Sequence, residues 1–256
     1  MLHLPVAGLS VEMHLPTGAD EIALVEAGNP AVEVAVALLA SIVRRSDGGA
    51  LDWSSLSMTD IDLLLLRLRQ RTIGDRISAE VVCRAAECGE RVDIVFSITD
   101  YLGHHRPRPR ARVAAIDDTW FRLDGTDIEF RVPSVSDQLA IAGEGRPEQA
   151  LVQRCIRPPE TGSTARRRVE TAMEAMAPSL AAELQGTCPD CGAAVSAFFD
   201  PLQYVLSELR EQAAFVYDEV WAIAQLTQWS EADILALPAA RRARYAELAQ
   251  PAMVNA

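Results

Sequence analysis

The sequence predicts an α+β protein, mainly helical, with a small β unit closed by two distant cysteine knuckles. Three observations carry that expectation. Apolar residues recur at helical spacing, best after Pro201, where Leu202, Val205, Leu206, Leu209, Val216, Val220 and Ile223 share a face. A few short segments alternate instead, as in VDIVFSI at residues 92–98. Two cysteine pairs, Cys83 with Cys88 and Cys188 with Cys191, each have a glycine directly after the second cysteine and a predicted strand behind it.

In chain order, the alternation of Val11, Met13 and Leu15 predicts a strand. Asn29 and Pro30 then suit the cap and first turn of a helix running to about Val43, ended by Asp47-Gly48-Gly49. Thr59 with Asp62 resembles a capping pair for a helix over 63–68 that Gly74 closes. Residues 104–112, HHRPRPRAR, read as a loop because the proline spacing forbids a helix. Strands at 119–123 and 127–132 join through Asp124-Gly125 as a hairpin. Ser134 with Asp137 starts a helix, and helical patterns continue over 150–156 and 169–184 with an exposed connection between them. Residues 193–199 form a short strand, and a single long helix is expected from Pro201 to the break at Thr227-Gln228-Trp229. Ser230 with Asp233 caps a short helix that Pro238 separates from a last, arginine-rich one. The resulting division is 1–78, a strand plus helical segment; 79–200, the cysteine-closed β unit with an insertion at about 100–187; and 201–256, a long helix and helical hairpin.

Composition excludes several functions. About half of the 256 residues are apolar, enough for a sizeable core. All 24 basic residues are arginine, against 36 acids, for a formal charge of −12. That balance repels phosphate backbones and anionic membranes. The start, MLHLPVAGLSVEMHLP, lacks the features of a secretory signal, and the longest apolar stretches are too short to span a bilayer. A cytoplasmic chain without membrane contact is the expectation, and in that reducing setting close cysteine pairs point to metal or redox chemistry.

A metal knuckle needs two thiolates converging on one ion, with backbone N–H groups turned toward the sulfurs. Gly89 and Gly192 permit the left-handed turn this requires, and Pro189 stiffens the second pair. Cys83, Cys88, Cys188 and Cys191 together close a tetrahedral, zinc-ribbon-like site with no position for water, so a structural Zn2+ is the expected cofactor. A redox reading of CPDC suits the sequence less, because redox pairs open a helix and here a strand follows. Cys155 reads as a core thiol.

No phosphate-binding glycine loop, nucleophile elbow or metalloprotease helix motif occurs, so no enzyme and no small-molecule substrate are indicated. His104-His105 reads as an exposed pair, and Asp117-Asp118 as turn chemistry. The stretch WSEADILALPAARRARYAEL offers interface-forming residues: Trp229, Arg241, Arg242, Arg244 and Tyr245 are the candidate partner-binding set.

The order of LPTGADEIALVEA, DLLLLRLRQRTIGDRISAEVVCRAAECGERVDIVFSITD, FRVPSVSDQLAIA, LVQRCI, CPDCGAAVSAFFDP and the WSEADILALPAARRARY ending resembles the baseplate-associated proteins of contractile phage tails and related bacterial injection systems. That group includes baseplate hub assembly chaperones. The resemblance implies a non-enzymatic structural or assembly role, with baseplate or tail proteins as partners. The insertion between the cysteine pairs departs from the pattern. The rival reading is a zinc-ribbon module binding nucleic acid through arginines 106 to 112 and 166 to 168, against which the acidic total stands.

Overall fold

The computed structural model describes residues 1–29, 31–108 and 113–254. Strands β1 (Leu2–Leu4) and β2 (Leu9–Met13) form an antiparallel hairpin. Helices α1 (Gly18–Glu26) and α2 (Val32–Ile42) follow, and β3 (Val43–Arg45) returns beside β2. Helix α3 (Met58–Thr72) is central: Leu64, Leu65, Leu66 and Leu68 are all fully buried on it. Next come the hairpin β4 (Arg76–Val82) and β5 (Arg91–Ser97) and helix α4 (Ile98–His104). An excursion then builds its own antiparallel sheet from β6 (Val113–Ala115), β7 (Phe121–Leu123), β8 (Glu129–Phe130) and β9 (Ile156–Arg157). Helices α5 (Val135–Ile141), α6 (Pro147–Cys155) and α7 (Ser163–Met176) accompany it. The hairpin β10 (Ala182–Thr187) and β11 (Ala194–Phe199) leads into α8 (Pro201–Ala213), α9 (Val216–Thr227), α10 (Glu231–Leu235) and α11 (Ala239–Val254). Close to half of the chain is helical, about 48%, so the α+β class holds. No helix is long and apolar enough to cross a membrane among the described residues.

The principal core draws on distant parts of the chain, from Leu4 and Val11 through α2 and α3 to Phe199, Leu202, Val205 and Leu206. Burial of this apolar surface is the main stabilising term. A second cluster around Phe121, Phe130, Ile156 and Val169 serves the excursion, and another, with Ile223, Ile234 and Ala246, joins the last three helices. Because each satellite is small, buried polar residues tie them to their neighbours. Asp137 is fully buried and accepts from the Arg131 guanidinium at 2.5 and 2.7 Å and from Arg154 at 2.8 Å. Although burial opposes it, this pairing and the Ser134 N–H hold its carboxyl well below the usual range. Arg242 on α11, 2% exposed, bridges Glu219 on α9 at 2.7 Å and Glu21 on α1.

Several elements differ from the expectation. Helix α3 is capped by Ser57, whose hydroxyl accepts from the Asp60 N–H at 3.1 Å, and not by Thr59. Thr59 instead donates its hydroxyl to the Pro178 carbonyl at 3.0 Å. The predicted helix over 169–184 stops at Met176; Pro178 cannot continue it, and Leu184 lies in β10. The single long helix after Pro201 is two, broken at Ala214 and Phe215, because α8 faces the principal core while α9 faces the C-terminal cluster. The arginine-rich last helix is long, at 16 residues. Leu15 lies beyond β2 and is exposed. The cap of α2 is Ala31, and Pro30 lies outside the described residues, as do 109–112 of the arginine-proline loop. The hairpin through Gly125 (φ 73°), the Ser134 and Ser230 caps and the helix break at Thr227-Gln228-Trp229 appear as read, the break made by a left-handed Gln228.

Two predictions follow from the buried charges. Replacing Arg242 by alanine strands Glu21 and Glu219 and is expected to cost about 3–5 kcal/mol in urea unfolding, whereas Arg244→Ala, on a side chain 67% exposed, should change stability by less than about 1 kcal/mol. Asp62 on α3 is buried, its Oδ1 unbonded among the described residues, and burial with help from Asp200 pushes its carboxyl up to about 8. The unfolded chain ionises this group near its ordinary 3.8, so native stability drains as pH rises from there to about 8. Asp62→Asn removes that loss: its thermal midpoint should exceed the parent's by a margin that grows across this window and levels off above it.

Candidate metal centre

The two cysteine-bearing hairpins are built alike. In β4–β5 the ladder ends at Val82 opposite Arg91, and Cys83 extends it by donating its N–H to the Glu90 carbonyl at 2.8 Å. In β10–β11 it ends at Thr187 opposite Ala194, and Cys188 donates to the Ala193 carbonyl at 2.8 Å. The turns close by Cys88 N–H to Ala85 O at 3.2 Å and Gly192 N–H to Cys188 O at 3.0 Å. Gly89 and Gly192 have φ of 69° and 73°, the left-handed turn for which glycine is needed. The longer first knuckle uses a further left-handed residue, Glu87 at φ 65°.

The hairpins are clamped at both ends. At their bases Phe96 and Phe199 meet edge-on at 5.1 Å, with Tyr101 at 5.2 and 5.5 Å from these rings. Between, Val92, Ile94 and Val195 are buried together. At the tips the four sulfurs lie within 4.8 Å of one another, with Cys83 to Cys191 at 3.6 Å and Cys88 to Cys188 at 3.8 Å. Sulfurs bound tetrahedrally at ~2.3 Å from one ion stand about 3.8 Å apart. The close contacts therefore run between knuckles, as a shared ion demands, and the cysteines are free thiols.

The electrostatics point the same way. The N–H groups of Cys191 and Asp190 lower the Cys188 thiol to about 7. For Cys88 the Glu90 backbone favours the thiolate, yet burial and three neighbouring thiols push it up to about 12. Cys83 is also raised. The Cys188 thiolate forms readily and those of Cys83 and Cys88 are suppressed; a divalent cation held by the four sulfurs would remove that suppression. The donor set thus fits a soft metal, and four protein ligands leave no open position for substrate. The CPDC turn lies between two strands rather than at a helix N-terminus, the position from which redox pairs draw their reactivity. Asp190, whose carboxylate reaches Cys88 Sγ at 3.8 Å, carries no spacing signal that would have marked it.

Elsewhere, Cys155 is 1% exposed beside Asp137, and burial pushes its thiol up to about 12, as a core residue. Asp117 accepts N–H bonds from Thr119 and Trp120 at 2.8 and 2.7 Å, closing a turn. Of the interface candidates, Trp229 and Tyr245 are exposed and pack edge-on at 5.6 Å, and Arg241 and Arg244 face solvent. Arg242 alone turns inward, held by the two glutamates described above.

Fold and site together define a helical α+β protein whose middle brings four cysteine sulfurs within 4.8 Å of one another. Residues 2–162, more than half of the chain, match the family described as T4 bacteriophage base plate protein, and the chain belongs to that family. The match includes the first knuckle; the second lies beyond it. No curated protein and no solved structure matches the chain.

Cobalt(II) added to the reduced apoprotein should give one equivalent of a tetrahedral thiolate spectrum. Cys188→Ser should weaken it sharply while far-UV circular dichroism keeps the helices. A spectrum unchanged in that variant would refute the shared site.

Proposed function

We propose that this protein is a non-enzymatic structural or assembly component, chaperone-like, of the baseplate of a phage-tail-like contractile particle, stabilised by zinc. Family membership over residues 2–162 carries the reading. Partners are then other baseplate or tail proteins. Zinc is the metal because four thiolates select a soft ion, and the spacing is not that of an iron–sulfur cluster. Cys83, Cys88, Cys188 and Cys191 would hold it, staple two hairpins and so fix the surface the middle of the chain presents to its neighbours.

The C-terminal helices supply a docking face for this role. Phe215, Tyr217, Trp221, Leu226, Trp229, Tyr245 and Leu248 account for half of the 14 large apolar side chains exposed on the described surface. Trp229 and Tyr245, with Arg241 and Arg244 beside them, have the composition of an interface anchor.

Co-expression with the tail and baseplate proteins of the same particle, followed by affinity purification, tests the reading. At least one baseplate protein should co-purify stoichiometrically, and Trp229→Ala with Tyr245→Ala should reduce its recovery at least about tenfold. Failure to recover any tail protein would end the proposal. Mass spectrometry of finished particles then separates a retained component from a transient assembly factor.

A further inference from the structure

Two concavities meet where Pro5, in the turn after β1, faces Pro107 of the arginine-proline loop. The smaller, about 420 Å3, has Leu63, Leu102 and Leu180 among its lining and carries His3, Arg67, His105 and Arg106. No aspartate or glutamate lines it, although the chain has a formal charge of −12. Neither Arg67 nor Arg106 has an ion-pair partner among the described residues. Arg67 donates to the neutral Gln70 side chain at 2.7 Å. Asp60, nearby on α3, is fully buried and committed to the N–H groups of Val6 and Ala7, at 3.2 and 2.9 Å. His105 is fixed by stacking on Tyr101 at 4.2 Å and by its Nδ1 on the Tyr101 carbonyl at 2.9 Å, which leaves Nε2 for a ligand. The larger concavity, about 890 Å3, continues past the two prolines with Arg108 and Trp120 on its wall.

We propose that this pocket docks an acidic peptide segment of a partner protein, with a carboxylate on Arg67 and Arg106 and an adjacent apolar side chain on the leucine floor. Two arginines without ion-pair partners beside an apolar floor call for an occupant of that mixed character, since arginine binds carboxylates through paired N–H donors. A nucleic acid fits less well: a pocket of this size admits a side chain, whereas a phosphate backbone needs an extended basic track and is repelled by the chain as a whole. The site is separate from the sulfur cluster and from the C-terminal helices, and stands whichever particle the protein serves.

Fluorescence anisotropy on the full chain tests this, with a labelled, capped peptide of alternating leucine and glutamate as probe. Saturable binding is expected, weakening as salt rises and falling at least about tenfold in the Arg67→Gln, Arg106→Gln double variant. Arg91→Gln, on a side chain 75% exposed on β5 and away from the pocket, should leave it unchanged, and urea unfolding should show both variants folded. A peptide with glutamine in place of glutamate should not bind. Absence of saturable binding, equal affinity for the glutamine peptide, or equal affinity in the double variant would each overturn the proposal. So would tighter binding of a single-stranded oligonucleotide that the same double variant abolishes, which would assign the pocket to nucleic acid.

Discussion

Four thiols packed within 4.8 Å impose the main constraint on this chain. Ionised, they repel; neutral, they are weak hydrogen-bonding groups with little reason to converge. A cation would resolve both, and would couple hairpins whose cysteines lie 100 and 108 residues apart. Everything between must leave and return at one place. It does so at the common base of the hairpins, where the Tyr101 hydroxyl, just after the departure, donates to the Leu180 carbonyl, just before the return, at 2.7 Å. Closing so long a loop costs little more than closing a short one, because the entropy grows only logarithmically with length. The excursion can therefore carry its own sheet and core without burdening the site.

The aromatic contacts at the hairpin bases and the sulfurs at the tips act on the same pair of elements from opposite ends. Phe96, Tyr101 and Phe199 belong to or pack on the principal core, so hydrophobic burial positions the bases together with the Tyr101–Leu180 hydrogen bond. The tips extend beyond that core, where the small cluster around Val92, Ile94 and Val195 backs them. Metal binding there would order a short, nearly formed site, and the energy it contributed would go chiefly into the tips rather than into the fold as a whole.

The knuckles were legible in the sequence because their geometry is local: two cysteines, a left-handed glycine and a following strand lie within a dozen residues. The Ser134 and Ser230 caps and the Asp124-Gly125 hairpin were legible for the same reason. Strands β4 and β10 were not, since Ser78, Ala79 and Glu80 in one, and Gln185 and Gly186 in the other, dilute the alternation. Helix α1 escaped notice too; its Thr17 and Asp20 capping box was present in the sequence but is followed by one buried large side chain, Leu24. For α3, Ser57 with Asp60 and Thr59 with Asp62 both match a capping pattern. Tertiary partners decide between them: Pro178 takes the Thr59 hydroxyl, leaving Ser57 to cap, and neither Pro178 nor its distance is visible from position 59.

Arg242 shows why a pattern of like residues cannot reveal which one turns inward. Arg241, Arg242 and Arg244 have the same chemistry and nearly the same place on α11. What selects Arg242 is a gap elsewhere. Gly18, at the start of α1, lets the guanidinium approach: a Cβ there would stand 2.6 Å from Arg242 Nη1 and 3.0 Å from the Leu235 backbone, too close for either. The absence of one methyl group in α1 thus admits a buried cation from α11, which Glu21 and Glu219 then neutralise. Because a buried arginine without its carboxylates is costly, these three helices can settle in only one relative arrangement. The exposed face of α11, proposed above for docking, is consequently oriented by a residue of the same arginine cluster that does not itself reach the surface.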